Sequence, residues 1–324
     1  VQRQGIIWMW AEEVENASEE DIPIIPELDK PEITCINYLR DLPYDQTYFI
    51  ENVIDPAHVP ISHDGVISKK EYARPLETEI EENNISGILS KVKGAGKSAT
   101  SWGRHDFIAP NLVIYKFTIQ IKDKSYDVGT ALYSIPLGKN KCRILHRNFI
   151  GGLKWFINLT PRWIHHLQTN NLLEGDMELL VGQNLQINRL GKSLKEVFLP
   201  LKTSDTLVIE YRKWLDKFGS QLPYYQGYTT SKNLDNDGFD NQENIVDRLS
   251  QHTQLCSSCN RAYQRTIQLK KTFIGMAIVL AGIAIIADAN SLQILAVCIA
   301  LGMIALAIGA GKLQTKFERS YTRH

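Results

Sequence analysis

The chain is predicted to be an α+β domain followed by a two-helix transmembrane hairpin, on three features. Successive β-rich runs between residues 111 and 150 read as an antiparallel meander, two longer stretches beyond them have the composition of helices, and two apolar segments without charge follow near the C-terminus.

Taken in order, NLVIYKFTIQI (111–121) alternates apolar and polar residues at period two, DVGTALYSIPL (127–137) is bounded by the polar turn 138–141, and CRILHRNFI (142–150) follows directly. From Pro161 to about Ile187 there is no internal proline, and Trp163, Ile164, Leu167, Leu172, Leu173, Leu179 and Leu180 fit a helix. A second helix, Asp205 to Phe218, is expected to stop at Gly219. Residues 272–287 hold no charge, and 291–311 hold one glutamine as their strong polar group, so the second reaches the roughly 20 apolar residues a membrane crossing needs and the first is marginal. Lys270 and Lys271 precede the pair and Lys312, Lys316, Arg319 and Arg323 follow it, which orients both outer ends to the cytoplasmic or stromal side.

Four regions result. Residues 1–30 read as the end of one domain plus an acidic linker, 31–219 as the main α+β domain, 220–265 as a polar linker containing a Cys-x-x-Cys, and 266–324 as the hairpin with a basic tail. Thirty-six basic residues balance thirty-six acidic ones, with no basic stripe, so nucleic acid is excluded as a partner. Cys35, Cys142, Cys256, Cys259 and Cys298 are an odd, scattered set, unlike a secreted disulfide framework.

The stretch ENVIDPAHVPISHDG (51–65) places His58 and His63 five residues apart, with Pro60 between them and Asp55 ahead. Pro60 discourages one continuous helix, so the chain can bend to bring both imidazoles to one ion; two histidines and a carboxylate form the ligand set of mononuclear non-haem iron. A plain helix start accounts for the same residues, with Asp55 as cap and Pro56 at the first helical position.

This stretch resembles the Asp-x-x-His-x-x-x-x-His iron signature of the Rieske non-haem iron oxygenases, in the form of the pheophorbide a oxygenase and chlorophyllide a oxygenase branch. Glu174-Gly-Asp176 through Gln183 resembles the acidic segment that supplies the carboxylate, and Thr203-Ser-Asp205 with Tyr211-Arg212-Lys-Trp214-Leu-Asp216 resembles a segment that follows it. Gln251 through Cys259 resembles the C-terminal Cys-x-x-Cys of pheophorbide a oxygenase-like proteins. The resemblance implies a helix-grip (START-like) fold, a curved antiparallel sheet with a long helix across it, and ferrous iron held by His58, His63 and Asp176, with Glu174 and Glu178 open as alternatives to Asp176. Asp55 is implied as the link to the Rieske [2Fe–2S] cluster of a neighbouring subunit in a homotrimer; Asn52, one turn ahead of Asp55, is read from its position as a donor behind the ligands. The resemblance further implies O2 as co-substrate, ferredoxin as electron source, a chlorin such as pheophorbide a or chlorophyllide a as substrate, and a home in a cyanobacterial or chloroplast membrane, thylakoid or envelope. His165 and His166 are read as surface or packing residues, because adjacent helical positions point apart.

One departure is large. No cysteine begins the Cys-x-His or Cys-x-x-His that a Rieske cluster needs, and VQRQGIIWMW (1–10) resembles the closing strand of a Rieske domain, so the rest of that domain is expected ahead of Val1. For Cys256 and Cys259 a redox dithiol, a partner for thioredoxin, is favoured over a metal site, since only His252 lies near them in sequence. A reading from another class also stands: a membrane-tethered helix-grip module that binds a tetrapyrrole or lipid without turning it over.

Overall fold

The computed structural model describes residues 1–9, 18–94, 101–121, 123–138, 140–152, 154–201, 204–231 and 246–321. Trp10, the first seven residues of the acidic linker (11–17), Thr203 and the central part of the polar stretch after Ser231 lie outside them.

Seven strands form one antiparallel sheet: β1 (Ile33–Leu42), β2 (Glu77–Asn84), β3 (Gly87–Lys93), β4 (Gly103–Ile108), β5 (Leu112–Ile121), β6 (Lys124–Gly138) and β7 (Lys141–Gly151). Their spatial order is β1-β7-β6-β5-β4-β3-β2, so β2 to β7 run as one meander, of which β5 to β7 are the expected part, and β1 closes the far edge beside β7. Period two sorts the side chains between the faces. Val113 and Leu132, opposite one another on β5 and β6, join the main core, whereas Leu112, Ile114, Ala131 and Tyr133 point the other way. That second face is covered by Ile25 and by Trp8, which meets Tyr133 edge-on at 5.8 Å. The opening residues are a small hairpin, Gln2–Arg3 against Ile6–Ile7, in place of one continuous strand; Gly5 at φ 75° makes the turn.

Gly129 explains how β6 and β7 fit together. The Phe149 ring lies across it, and a Cβ there would come within 2.1 Å of the ring, so only glycine leaves room for the aromatic side chain opposite.

Helices pack on the main-core face. α1 (Gln46–Ile54) starts at Asp45, whose Oδ1 accepts the Thr47 N–H at 2.9 Å, and buries Phe49, Ile50 and Ile54. After it come the short α2 (Val59–Ser62), α3 (Lys154–Leu159), the long α4 (Arg162–Leu190), α5 (Leu194–Val197) and α6 (Thr206–Lys217). α4 brings Leu173, Met177, Leu180 and Val181 into the core, and α6 brings Trp214, whose ring stands edge-on to Phe107 and whose indole N–H donates to the Asn84 carbonyl at 2.8 Å. The α+β helix-grip expectation holds, and α4 and α6 begin and end within a few residues of where the sequence placed them.

The stretch read as polar linker is more ordered at its end than its composition suggested. Val246–Asp247 pairs with Ser320–Tyr321, a π-type turn covers Leu249–Thr253, and α7 (Ser257–Ile286) begins inside the Cys-x-x-Cys. Tertiary contacts order it: Thr253 Oγ1 donates to the Phe317 carbonyl at 2.9 Å, and Phe317 packs against Trp163 and Tyr263. α7 and α8 (Asn290–Glu318) are both long and apolar enough to cross a membrane. They bury small residues, Ala277, Ala296, Ala300 and Ala307, while Ile278, Ile285, Ile286, Leu301 and Ile308 are exposed; close contact through alanines with bulky apolar side chains outward suits helices in lipid.

Candidate metal centre

His58 and His63 flank α2, where Pro60 sits at the second helical position. The His58 Nδ1 lies 2.5 Å from the Asp55 carbonyl oxygen, a contact that uses Nδ1–H as donor and leaves Nε2 as the free electron pair. Nε2 of His63 is 3.1 Å, and Nε2 of His58 3.7 Å, from Asp176 Oδ2. The three donor atoms lie within 4.8 Å of one another.

α4 supplies Asp176, and its approach to α2 depends on Gly175. A Cβ at 175 would stand 3.2 Å from the Ser62 carbonyl oxygen and 3.7 Å from His63 Nδ1, so a larger residue presses on the turn that carries His63. Asn52, in the last turn of α1, donates to Asp176 Oδ2 at 3.2 Å. Two buried atoms, Asp176 Oδ1 and His63 Nδ1, have no hydrogen-bond partner among the described residues. A carboxylate held with one oxygen unsatisfied beside two imidazoles fits a cation better than a closed hydrogen-bond network.

Glu174, two residues earlier, is committed elsewhere. Its carboxylate receives Arg40 Nη1 at 2.8 Å and Arg248 Nε and Nη2 at 2.8 and 2.5 Å, all nearly fully buried. Burial alone would raise its pKa, but the Arg248 hydrogen bonds and the Arg40 charge reverse this and hold it below the usual carboxylate range. Glu178 is partly exposed. Of the three acids near this point, Asp176 is the one that meets both histidines.

Asp55 accepts the Ala57 N–H through Oδ1 at 2.8 Å, leaving Oδ2 3.9 Å from His58 Nδ1. Burial raises its carboxyl pKa, with the His58 charge opposing. It lines a cleft of about 390 Å³ together with His58, Pro60, Ile61, Arg74 and Asp205, a size within the range of small-molecule pockets.

A second group of donors lies at the base of the hairpin. His166 is buried, with Nδ1 3.4 Å from Cys256 Sγ and 3.5 Å from Cys259 Sγ; His252 Nε2 is 3.3 Å from Cys259 Sγ. Both cysteines are free thiols. His166 therefore does more than pack, and the reading that left it aside is corrected: the turn of α4 that exposes part of His165, near the Ile157 carbonyl, aims its neighbour at the thiols. Neither this contact nor the Arg40–Glu174–Arg248 triad carries a local sequence signal.

A curved antiparallel sheet gripping a long helix, with two histidines and an aspartate converging beside it, defines the catalytic-domain fold of the Rieske-type oxygenases. A solved dicamba monooxygenase bound to dicamba is similar in fold, with a TM-score of 0.53 at 13% identity, over 66% of this chain and 67% of that one. The pheophorbide a oxygenase family model matches residues 107–193, which include Asp176. Among curated proteins, pheophorbide a oxygenase of Oryza sativa subsp. japonica is 29% identical over 97% of this chain and 62% of its own length. Protein TIC 55 of Arabidopsis thaliana is 33% identical over 70% of this chain and 43% of its own. The chain is similar to this pheophorbide a oxygenase-like branch, and it spans less than two thirds of the length of these relatives.

Proposed function

We propose that the chain is the mononuclear-iron part of an oxygenase that acts on a chlorophyll-derived macrocycle of the pheophorbide a or chlorophyllide a type. The convergence of His58, His63 and Asp176 carries the reading. These residues would hold Fe(II), which, when bound and supplied with electrons, activates O2 beside the substrate. Electrons are taken to come from ferredoxin through a Rieske [2Fe–2S] cluster whose ligands the 324 residues do not include.

The chain's own residues prepare the site. The Asp55 carbonyl orients the His58 ring, and Asn52 fixes the Asp176 carboxylate. Asp55, beside His58 in the cleft wall, is the proposed entry point for electrons from a neighbouring copy in a trimer. The cleft walls are mainly apolar, with Arg74 as a cation for an acidic substituent of the macrocycle. The exposed isoleucines and leucines of α7 and α8 support insertion of the hairpin in a chloroplast or cyanobacterial membrane, since so large an apolar exterior is costly in water. There the domain stands on the cytoplasmic or stromal side, close to membrane-borne pigment.

The test is iron analysis of the anaerobically purified chain, followed by nitric oxide EPR with and without a pheophorbide-type chlorin. About one ferrous iron per chain, with a signal that changes when chlorin is added, supports the reading. A folded chain that binds chlorin but holds no iron would make it a tethered binding module instead.

A further inference from the structure

We propose that His166, His252, Cys256 and Cys259 form a closed, structural Zn2+ site that fastens the C-terminal hairpin to the catalytic domain. The four donors come from three elements: α4, the π-type turn, and the N-cap and first turn of α7. Their atoms all lie within 4.8 Å of one another.

Both imidazoles are already oriented as ligands. His166 bonds through Nε2 to the Asn37 carbonyl at 2.9 Å, and His252 through Nδ1 to the Leu39 carbonyl at 2.5 Å. Each ring thus directs its other nitrogen at the thiols, and a backbone carbonyl behind the ring is the usual support for a zinc-bound histidine. Two neighbouring outward carbonyls of β1 set both rings at once.

The distances select one ion over a two-iron cluster. Zn–S near 2.3 Å and Zn–N near 2.05 Å at a tetrahedral angle place sulfur and nitrogen about 3.6 Å apart, and the contacts are 3.3, 3.4 and 3.5 Å. A Rieske-type cluster puts the cysteines on one iron and the histidines on the other, which would separate the pairs that touch here. Two thiolates and two imidazoles in a closed set suit Zn2+, with no position left for substrate. On binding, the metal displaces two thiol protons to solvent and no electron is transferred.

The surroundings fit an anchor. Arg248 holds Glu174 of α4 and the Lys316 carbonyl of α8, and Thr253 holds the Phe317 carbonyl. The proposed ion would sit among these contacts, joining strand, long helix and hairpin.

The experiment is zinc and iron analysis of the whole detergent-purified chain, wild type beside Cys256→Ser/Cys259→Ser, His166→Ala and His58→Ala/His63→Ala. About one zinc per chain, lost in the first two variants and kept in the third, is the expected result. Unchanged zinc in the cysteine variant, or a well-folded wild type in which both thiols are titratable and zinc does not bind, would overturn it. Should the variants fail to fold, cobalt substitution of the wild type decides: intense tetrahedral ligand-field bands with sulfur-to-cobalt charge transfer are expected, and their absence overturns the site. The iron-site variant keeps the two centres separable.

Discussion

His63 and Asp176 meet at 3.1 Å, Nε2 to Oδ2, although strands β2 to β7 separate them in the chain. The contact depends on α2 and α4 being pressed together, so the donor set is a property of the fold. Replacing His63 by Ala removes one ligand, and the expected outcome is loss of bound iron. Asn52→Ala, which removes a support behind Asp176, should weaken iron binding about 10–100-fold. Iron titration by calorimetry under anaerobic conditions separates the two.

Gly175 is what lets those helices approach so closely. An ordinary mid-helix glycine would be improved by alanine by about 1 kcal/mol, but here a side chain meets the Ser62 carbonyl. Gly175→Val should displace the turn bearing His63, lowering iron content while far-UV circular dichroism stays near wild type. Full iron occupancy in that variant would contradict the close approach.

Glu174 and Asp176 should respond in opposite ways. Glu174→Gln leaves Arg40 and Arg248 buried without their counter-charge, a change expected to cost about 3–5 kcal/mol and to lower the melting temperature sharply. Asp176→Asn should lose iron with a much smaller thermal effect. Thermal melts paired with metal analysis check both.

His146 sets a pH dependence. Burial lowers its pKa from 6.5 to about 4, so the unfolded chain takes up a proton on this residue at a pH where the folded chain does not. Its contribution is therefore constant above pH 6.5, and stability is lost as pH falls from there towards 4, by up to about 3 kcal/mol. His146→Leu should flatten the fall across that window relative to wild type in denaturant titrations at pH 7, 5.5 and 4.5.

Strands β5 to β7 were legible because apolar and polar residues alternate over much of their length and polar turns bound them, and α6 because Gly219 stops it. The histidine pair was legible from local spacing and from resemblance. The choice among Glu174, Asp176 and Glu178 was not, because it turns on Arg40 and Arg248, which lie 134 and 74 residues from Glu174 in the chain. His166 escaped for the same reason: its sulfur partner Cys256 is 90 residues away. Residues 246–256 read as linker because polar side chains held by tertiary hydrogen bonds have the same composition as polar side chains in water.

The two imidazoles on Asn37 and Leu39 also bear on how copies of the chain can meet. An open sheet has two rims at which a foreign strand can add. Along β1 the middle of the rim is occupied by His166 and His252, and along β2 the opposite rim carries Glu77, Glu79, Glu81 and Glu82, charged side chains of the kind that blunt an edge. Neither border of the sheet invites strand addition, so self-association through continuous sheets is disfavoured and assembly is left to surfaces built from side chains.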